Sequence, residues 1–256
     1  MVILASDYDG TLNRGGISAE DRAAVARFRK AGNLFGIVTG RDYWMYETVR
    51  EADFALDFIP AMNGAMLIAT DGDRAGEILR CEEKKNDGCI RAIAEHVGKN
   101  YNHSVDTVFY RERIRFHALH PEGNDRYSPL CRADEVPLFS QLNTRCDNDA
   151  DAARCVKEIN ERWGGTVNAL QNGNCIDIPP AGIDKGEGVA RFARSVGVPE
   201  DNVFCAGDNM NDYAMIARFR GLAVENAVPD LKAAAEAVFP SIAAMIGFIM
   251  DLADRP

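Results

Sequence analysis

The chain has 256 residues, 46% of them hydrophobic, and a formal net charge of -10. That length can bury a core as one large domain or two modest ones, and the hydrophobic content is that of a globular protein rather than a disordered one. The acidic balance excludes a general nucleic-acid or anionic-membrane binder, and no stretch approaches the ~20 apolar residues of a membrane span.

Met1-Val2-Ile3-Leu4 carries neither a basic leader nor a small-residue cleavage site, so a cytoplasmic protein is expected. The run Val2 to Ala5 predicts a buried strand ending in Ser6-Asp7-Tyr8-Asp9-Gly10-Thr11-Leu12, with two carboxylates one residue apart. In open parallel sheets, ligands collect at the carboxyl ends of strands. Two aspartates there repel a phosphate unless a divalent cation and a positive side chain join them, so the rest of the chain is read for those partners.

Ser18 predicts a helix cap, with the helix running to about Ala31 and stopping at Gly32. Leu34 to Val38 reads as a second strand, passing through Thr39-Gly40-Arg41 into a helix with Tyr43, Tyr46, Val49 and Ala52 on one stripe. Phe58 to Ala61 reads as a third strand. It leads to Asn63-Gly64-Ala65 and a hairpin of Met66 to Ala69 with Glu77 to Arg80 around Asp71-Gly72.

The character changes at Glu82-Glu83-Lys84-Lys85, a charged run read as a solvated helix face or hinge. Next come a helix from Asp87 to Gly98, strands Val105 to Tyr110, Ile114 to Leu119 and Val136 to Asn143, and a helix from Asp149 to Trp163. A hairpin of Thr166 to Leu170 with Cys175 to Ile178 follows. Strand runs with helices interspersed imply a separate α+β layer, closed by the sharp Pro179-Pro180-Ala181-Gly182 linker.

The first pattern then resumes with a helix from Lys185 to Val196, the strand Val203 to Ala206, and the turn Gly207-Asp208-Asn209-Met210-Asn211-Asp212. A strand from Gly221 to Glu225 and helices from Asp230 and Ser241 complete the chain. The apolar run 242–250 holds Gly247 and meets Asp251, so it reads as a core helix. The fold class expected is α/β: a Rossmann-like parallel-sheet core, 1–82 and 181–256, with an α+β cap domain, 83–180, inserted. Seven cysteines, Cys81, Cys89, Cys131, Cys146, Cys155, Cys175 and Cys205, form no Cys-x-x-Cys pair and read as reduced structural thiols.

Three turns offer what the opening aspartates lack. Thr39 brings a hydroxyl beside Gly40, whose missing side chain lets backbone amides approach an oxyanion. Lys185, at a helix start, offers an ammonium; Asp208 and Asp212 offer hard oxygens of the kind Mg²⁺ binds. Taken singly, Thr39-Gly40 reads as strand punctuation and Lys185 as a surface lysine, while the Asp208 to Asp212 turn reads equally well as a helix cap.

Together they resemble the haloacid dehalogenase superfamily, specifically its Cof-type phosphatases with a large α/β cap. The resemblance rests on Asp7-x-Asp9-Gly10-Thr11, Thr39, Lys185 and Gly207-Asp208-x-x-Asn211-Asp212, in that order, with Asn63-Gly64-Ala65 before the insertion. Cof-type chains usually carry an acidic residue and Gly before the last helix, where this chain has the largely apolar 239–247.

The resemblance implies a Mg²⁺-dependent phosphatase acting on a small phosphorylated metabolite, with sugar phosphates the leading class. It implies Asp7 as nucleophile and Asp9 as acid and base. Asp7, the Asp9 carbonyl, Asp208 and Asp212 would hold the metal, Asp212 directly or from behind, and Thr39, Gly40, Lys185 and Asn211 the phosphoryl oxygens. Cap loops would select the leaving group, with Arg113, Arg115, His117, His120 and Arg126 as polar candidates. His117 and His120 fall on opposite faces of a strand, however, and read rather as solvated or structurally satisfied histidines than as a metal pair; Phe109, Phe116 and Trp163 read as cap core. The alternatives are a phosphomutase of the same superfamily or a catalytically silent sugar-phosphate-binding module. No nucleic-acid or membrane partner is expected, and the chain is taken as a monomer or homodimer.

Overall fold

The computed structural model describes residues 1–103, 105–108, 110–111, 114–115 and 137–253. They form two compact units, residues 1–79 with 185–256, and residues 80–184.

In the first unit a parallel sheet is built from β1 (Ile3–Asp7), β2 (Leu34–Val38), β3 (Val203–Gly207), β4 (Arg220–Val224) and β5 (Ala237–Phe239), ordered β5-β4-β3-β1-β2. β1, β3 and most of β2 and β4 are buried along their length, so their apolar runs read continuously instead of alternating. The sheet is flanked by α1 (Ala19–Lys30), α2 (Trp44–Glu51), α3 (Lys185–Val196), α4 (Tyr213–Arg218), α5 (Pro229–Ala234) and α6 (Ile242–Ala253). Side chains such as Phe28, Phe35, Ile37, Met45 and Leu222 are fully buried, each contributing roughly 1.5–3 kcal/mol.

The strand Ile59–Ala61 continues past β2 by irregular bonding. Phe58 and Pro60 carbonyls accept from Ile37 and Thr39 amides at 3.1 and 3.0 Å before the chain turns back as Met66–Ile68. Gly36 makes this approach possible, because a Cβ there would lie 2.4 Å from the Phe58 ring, which itself stacks on Phe192 at 3.8 Å. The Ser18 hydroxyl caps α1 by accepting from the Asp21 amide, an interaction worth ~1 kcal/mol.

Asp21 also reaches the start of the last helix. Its Oδ1 accepts from the Ala243 amide at 2.8 Å, and Ser241 Oγ accepts from Ala244 at 3.1 Å. A carboxylate from α1 thus caps α6. α6 is 12 residues long, and no helix among the described residues is long and apolar enough to cross a membrane.

On the surface of α3, Glu187 accepts from Arg191, Arg194 and Arg218. Partial burial opposes its ionisation, yet the guanidiniums win and hold the carboxyl down at about 2 against an ordinary 4.5. A depressed carboxyl contributes stability above its unfolded value and loses it as pH falls through the folded one. Glu187→Gln should therefore melt about 2–4 °C below wild type at neutral pH, and the gap should close between pH 4.5 and 2. A gap of the same size at both ends of that range would refute the assignment.

The second unit holds an antiparallel sheet ordered Leu170–Asn172, Cys175–Ile178, Gln141–Arg145, Asp106–Val108. Its core includes Ile90, Ile93 and Val97 from the helix Cys89–Tyr101, Cys155 and Ile159 from the helix Asp149–Trp163, and Leu142, Ile176 and Ile178 from the sheet. Trp163 packs against that core. Asn100 and Arg162 donate to Nδ1 of buried His96, so Nε2 carries the proton and donates to Glu158 at 2.9 Å, pinning the two helices together.

Several expected elements differ. Lys84–Lys85 is not a helix face but a short strand paired with Leu138–Phe139, its backbone bonding while the charges stay at the surface. The expected strand Val136 to Asn143 breaks at buried Ser140 into Leu138–Phe139 and Gln141–Arg145. The helix expected from Asp87 begins at Cys89 and runs on to Tyr101, ending at a left-handed Asn102. In the last hairpin Leu170–Asn172 pairs with Cys175–Ile178 around a turn at left-handed Gly173, and the pairing resumes at a bridge between Val167 and Pro180. The edge strand β5 falls between the expected elements. Six of the seven cysteines are described and all are free thiols. Cys131, Phe109, most of Ile114 to Leu119, and the side chains of Arg113, Arg115, Phe116, His117, His120 and Arg126 lie outside the described residues.

Candidate active site

At the end of β1 the chain turns tightly: the Asn13 amide donates to Tyr8 O at 2.7 Å and the Gly10 amide to Asn13 O at 3.1 Å. Gly10 has φ +85°, and a Cβ on it would lie 2.4 Å from Asp208 Oδ2, so only glycine lets the two loops approach. The Asn226 side-chain amide, beyond β4, donates to Gly10 O at 2.8 Å and holds the turn from outside.

Asp7 leaves β1 pointing into a buried cluster. Lys185, the first residue of α3 and fully buried, donates from Nζ to Asp7 Oδ1 at 2.6 Å and to Asp212 Oδ1 at 2.5 Å. The other oxygen of Asp212 accepts from the backbone amides of Asp208 and Asn209 at 2.9 and 3.1 Å, closing the turn after β3. That closure requires Gly207, since a Cβ there would meet Asp212 Cβ at 2.6 Å. Asp208 Oδ1 accepts from the Thr11 hydroxyl at 2.9 Å. Asn211 is buried within the same 3-10 turn, Met210–Asp212.

Asp7, Asp208 and Asp212 each offer a carboxylate oxygen within 4.8 Å of the others. One ammonium faces three carboxylates, and the deficit is visible. Asp7 is pushed well above the usual carboxylate range by burial, helped by Asp212 and Asp208 and opposed by Lys185. Asp208 is raised by burial and by Asp212, against the Thr11 hydroxyl and Lys185. Burial alone would lower the Lys185 ammonium, but Asp212 and Asp7 more than reverse this, so it stays charged. A divalent cation of the hard, oxygen-seeking kind fits this donor set and would relieve the surplus charge.

Thr39 is buried at the end of β2, its Oγ1 accepting from the Arg41 amide at 3.1 Å, with half-buried Gly40 between them. Asp9 stands apart from the carboxylate cluster. Its side chain is 47% exposed and both its oxygens are engaged by Arg41, Nε to Oδ2 at 2.6 Å and Nη2 to Oδ1 at 2.7 Å.

Sequence reasoning singled out Asp7, Asp208, Asp212 and Lys185, and the fold brings these four together. It did not single out Thr11, Arg41 or Asn226 as site residues. Thr11 and Arg41 lay inside the quoted turns, but nothing in spacing tells which hydroxyl meets which carboxylate. A cavity of about 570 Å³, lined by residues including Arg22, Arg29, Phe54 and Asp57, sits near the start of β2. Arg29 forks Asp57 there, but that end of the sheet carries none of the clustered carboxylates.

Residues 4–245 match the family profile described as haloacid dehalogenase-like hydrolase. The chain belongs to this family. As a haloacid dehalogenase-like hydrolase it is 31% identical to an HMP-PP phosphatase of Citrobacter koseri, across 90% of this chain and 86% of that one. It is 26% identical to a pyridoxal phosphate phosphatase of Escherichia coli, across 92% of each. In fold it is similar to a HAD/COF-like hydrolase from Plasmodium vivax, with a TM-score of 0.76 at 21% identity over 98% of this chain and 96% of that one. This haloacid dehalogenase-like hydrolase is a phosphatase, an enzyme of the phosphoric monoester hydrolase class.

Proposed function

We propose that this phosphatase is Mg²⁺-dependent and hydrolyses a small phosphorylated metabolite through an aspartyl-phosphate. The observation that carries the reading is the convergence of Asp7, Asp208, Asp212 and Lys185, delivered by β1, the turn after β3 and the start of α3. Asp7 and Asp208, with the Asp9 carbonyl, would hold Mg²⁺, and Asp212 would stand beside or behind them; the chemistry the ion would supply there is to neutralise carboxylate and phosphoryl oxygens.

In this reading a carboxylate oxygen of Asp7 attacks phosphorus in line, the P–O bond to the leaving group breaks, and Asp9 gives that oxygen its proton. Asp9 then takes a proton from the water that splits the acyl phosphate, which frees Asp7 and phosphate. Lys185, Thr39, Gly40 and Asn211 hold the phosphoryl oxygens, as charge-assisted and backbone donors do at such sites. Both Asp212 oxygens already accept hydrogen bonds from the chain, which favours an orienting part for it.

The inserted unit 80–184 would choose the leaving group. Family resemblance favours a sugar phosphate, while the two curated relatives are named for pyridoxal phosphate and HMP-PP, so both kinds belong in the assay. The test is phosphate release from p-nitrophenyl phosphate and from such a panel, with Mg²⁺ and after chelation. We expect release that chelation abolishes and Mg²⁺ restores. Undiminished release after chelation would remove the metal, and an isomeric sugar phosphate without free phosphate would point to a mutase.

A further inference from the structure

The phosphatase reading leaves one contact without a purpose. Asp9 must offer a carboxyl oxygen to the leaving group, yet Arg41 occupies both of its oxygens with a two-pronged fork. A side chain so held cannot also donate to, or accept from, a substrate until the fork opens.

Three features say what opens it. First, the pair is partly solvated, 48% exposed on Arg41 and 47% on Asp9, so exchanging partners costs little, as for other exposed ion pairs. Second, the Arg41 backbone is anchored beside the site, so its guanidinium stays within reach when it lets go. Its amide is tied to Thr39 Oγ1 at 3.1 Å, its carbonyl accepts from the Met62 amide at 2.7 Å, and its guanidinium lies 5.3 Å from the Tyr8 ring centroid. Third, the neighbouring cation, Lys185, is buried and committed to Asp7 and Asp212. A second anionic group on a substrate would find in Arg41 a half-exposed guanidinium whose planar fork suits carboxylate and phosphate alike.

We propose that Arg41 is a specificity residue: a substrate whose leaving group bears a second anionic oxygen group, carboxylate or phosphate, takes the Arg41 fork and thereby frees Asp9. This rests on the phosphatase reading and deepens it. The latch makes turnover conditional on the substrate's own charge. A leaving group without that charge must break the Arg41–Asp9 fork with nothing in return.

The experiment uses three monoesters on one carbon skeleton: n-propyl phosphate, 3-(phosphonooxy)propanoate and 1,3-propanediol bisphosphate, with p-nitrophenyl phosphate as a control whose good leaving group needs little protonation. Wild type is expected to favour the two charged leaving groups over propyl phosphate by about 10-fold in kcat/KM. Arg41→Ala should erase that preference by raising KM for the charged pair while raising kcat for propyl phosphate. Arg41→Lys, which keeps the charge but not the fork, should fall between. Preference for only one of the charged pair would identify which anion the fork takes.

A wild type indifferent to the second charge would overturn the proposal, as would an Arg41→Ala that slows all four esters by one common factor, the mark of a structural role. Turnover of p-nitrophenyl phosphate with no charge preference leaves the phosphatase reading standing and sinks the latch. No phosphate from any ester sinks both.

Discussion

Asp7→Asn is expected to lower kcat for phosphate release by ~10⁴-fold or more while leaving the protein as stable as wild type. The first half follows from the proposed chemistry: an amide oxygen is a poor nucleophile, and no other carboxylate of the cluster stands where Asp7 does. The second half follows from the electrostatics. Asp7 is buried, and burial together with Asp212 and Asp208 already disfavours its ionised form. Asparagine keeps the shape, removes one carboxylate from a cluster with three for one ammonium, and leaves Lys185 its bond to Asp212. A merely structural Asp7 would give the opposite pattern, with stability lost and rate kept. Thermal unfolding and single-turnover phosphate release on the same preparation separate the two, and near-normal turnover would remove Asp7 as nucleophile.

The elements legible in the sequence are those whose boundaries are marked by residue chemistry. β2 is an apolar run between Asn33 and Thr39, the helix Asp149–Trp163 has Asn148 to cap it, and α3 begins at Lys185 after the Gly182 turn. Elements held by backbone bonding alone left no such mark. Lys84–Lys85 looks like a solvated charge run because its partner, Leu138–Phe139, is more than fifty residues away. β5 is three residues on a sheet edge, too short for a period to declare itself.

The same division runs through the site. Asp7, Lys185, Asp208 and Asp212 are legible because they stand in one order at the ends of successive elements and together carry a family's motifs, whereas each alone reads as an ordinary turn or surface residue. The Thr11–Asp208 hydrogen bond, the Asn226 brace on Gly10 and the Arg41–Asp9 fork depend on side-chain directions across loops far apart in sequence. No spacing rule encodes them.

Lys185→Met is the second large effect, and it acts on stability as well as rate. The Lys185 ammonium is fully buried and links Asp7 to Asp212. Methionine matches its stem but leaves two buried carboxylates facing Asp208 without their cation, a loss on the scale of 3–5 kcal/mol for one partner of a buried pair. The sign with pH is fixed by Asp7. A carboxyl raised above its ordinary 3.8 destabilises the folded state once pH exceeds that value, because the unfolded chain ionises first.

Removing Lys185 raises Asp7 further, so the deficit of Lys185→Met against wild type should be small near pH 4 and grow towards pH 7. Chemical denaturation at several pH values measures it, and a deficit independent of pH would mean that packing, not charge, is what Lys185 supplies. Mg²⁺ should narrow the neutral-pH deficit, since a cation binding Asp7 and Asp208 substitutes for part of the lost charge. Activity should not return with it, because the metal cannot stand where Nζ would donate to the phosphoryl oxygens in the proposed mechanism. Stability regained without turnover would separate the two tasks of this lysine, neutralising the carboxylates and holding the phosphate.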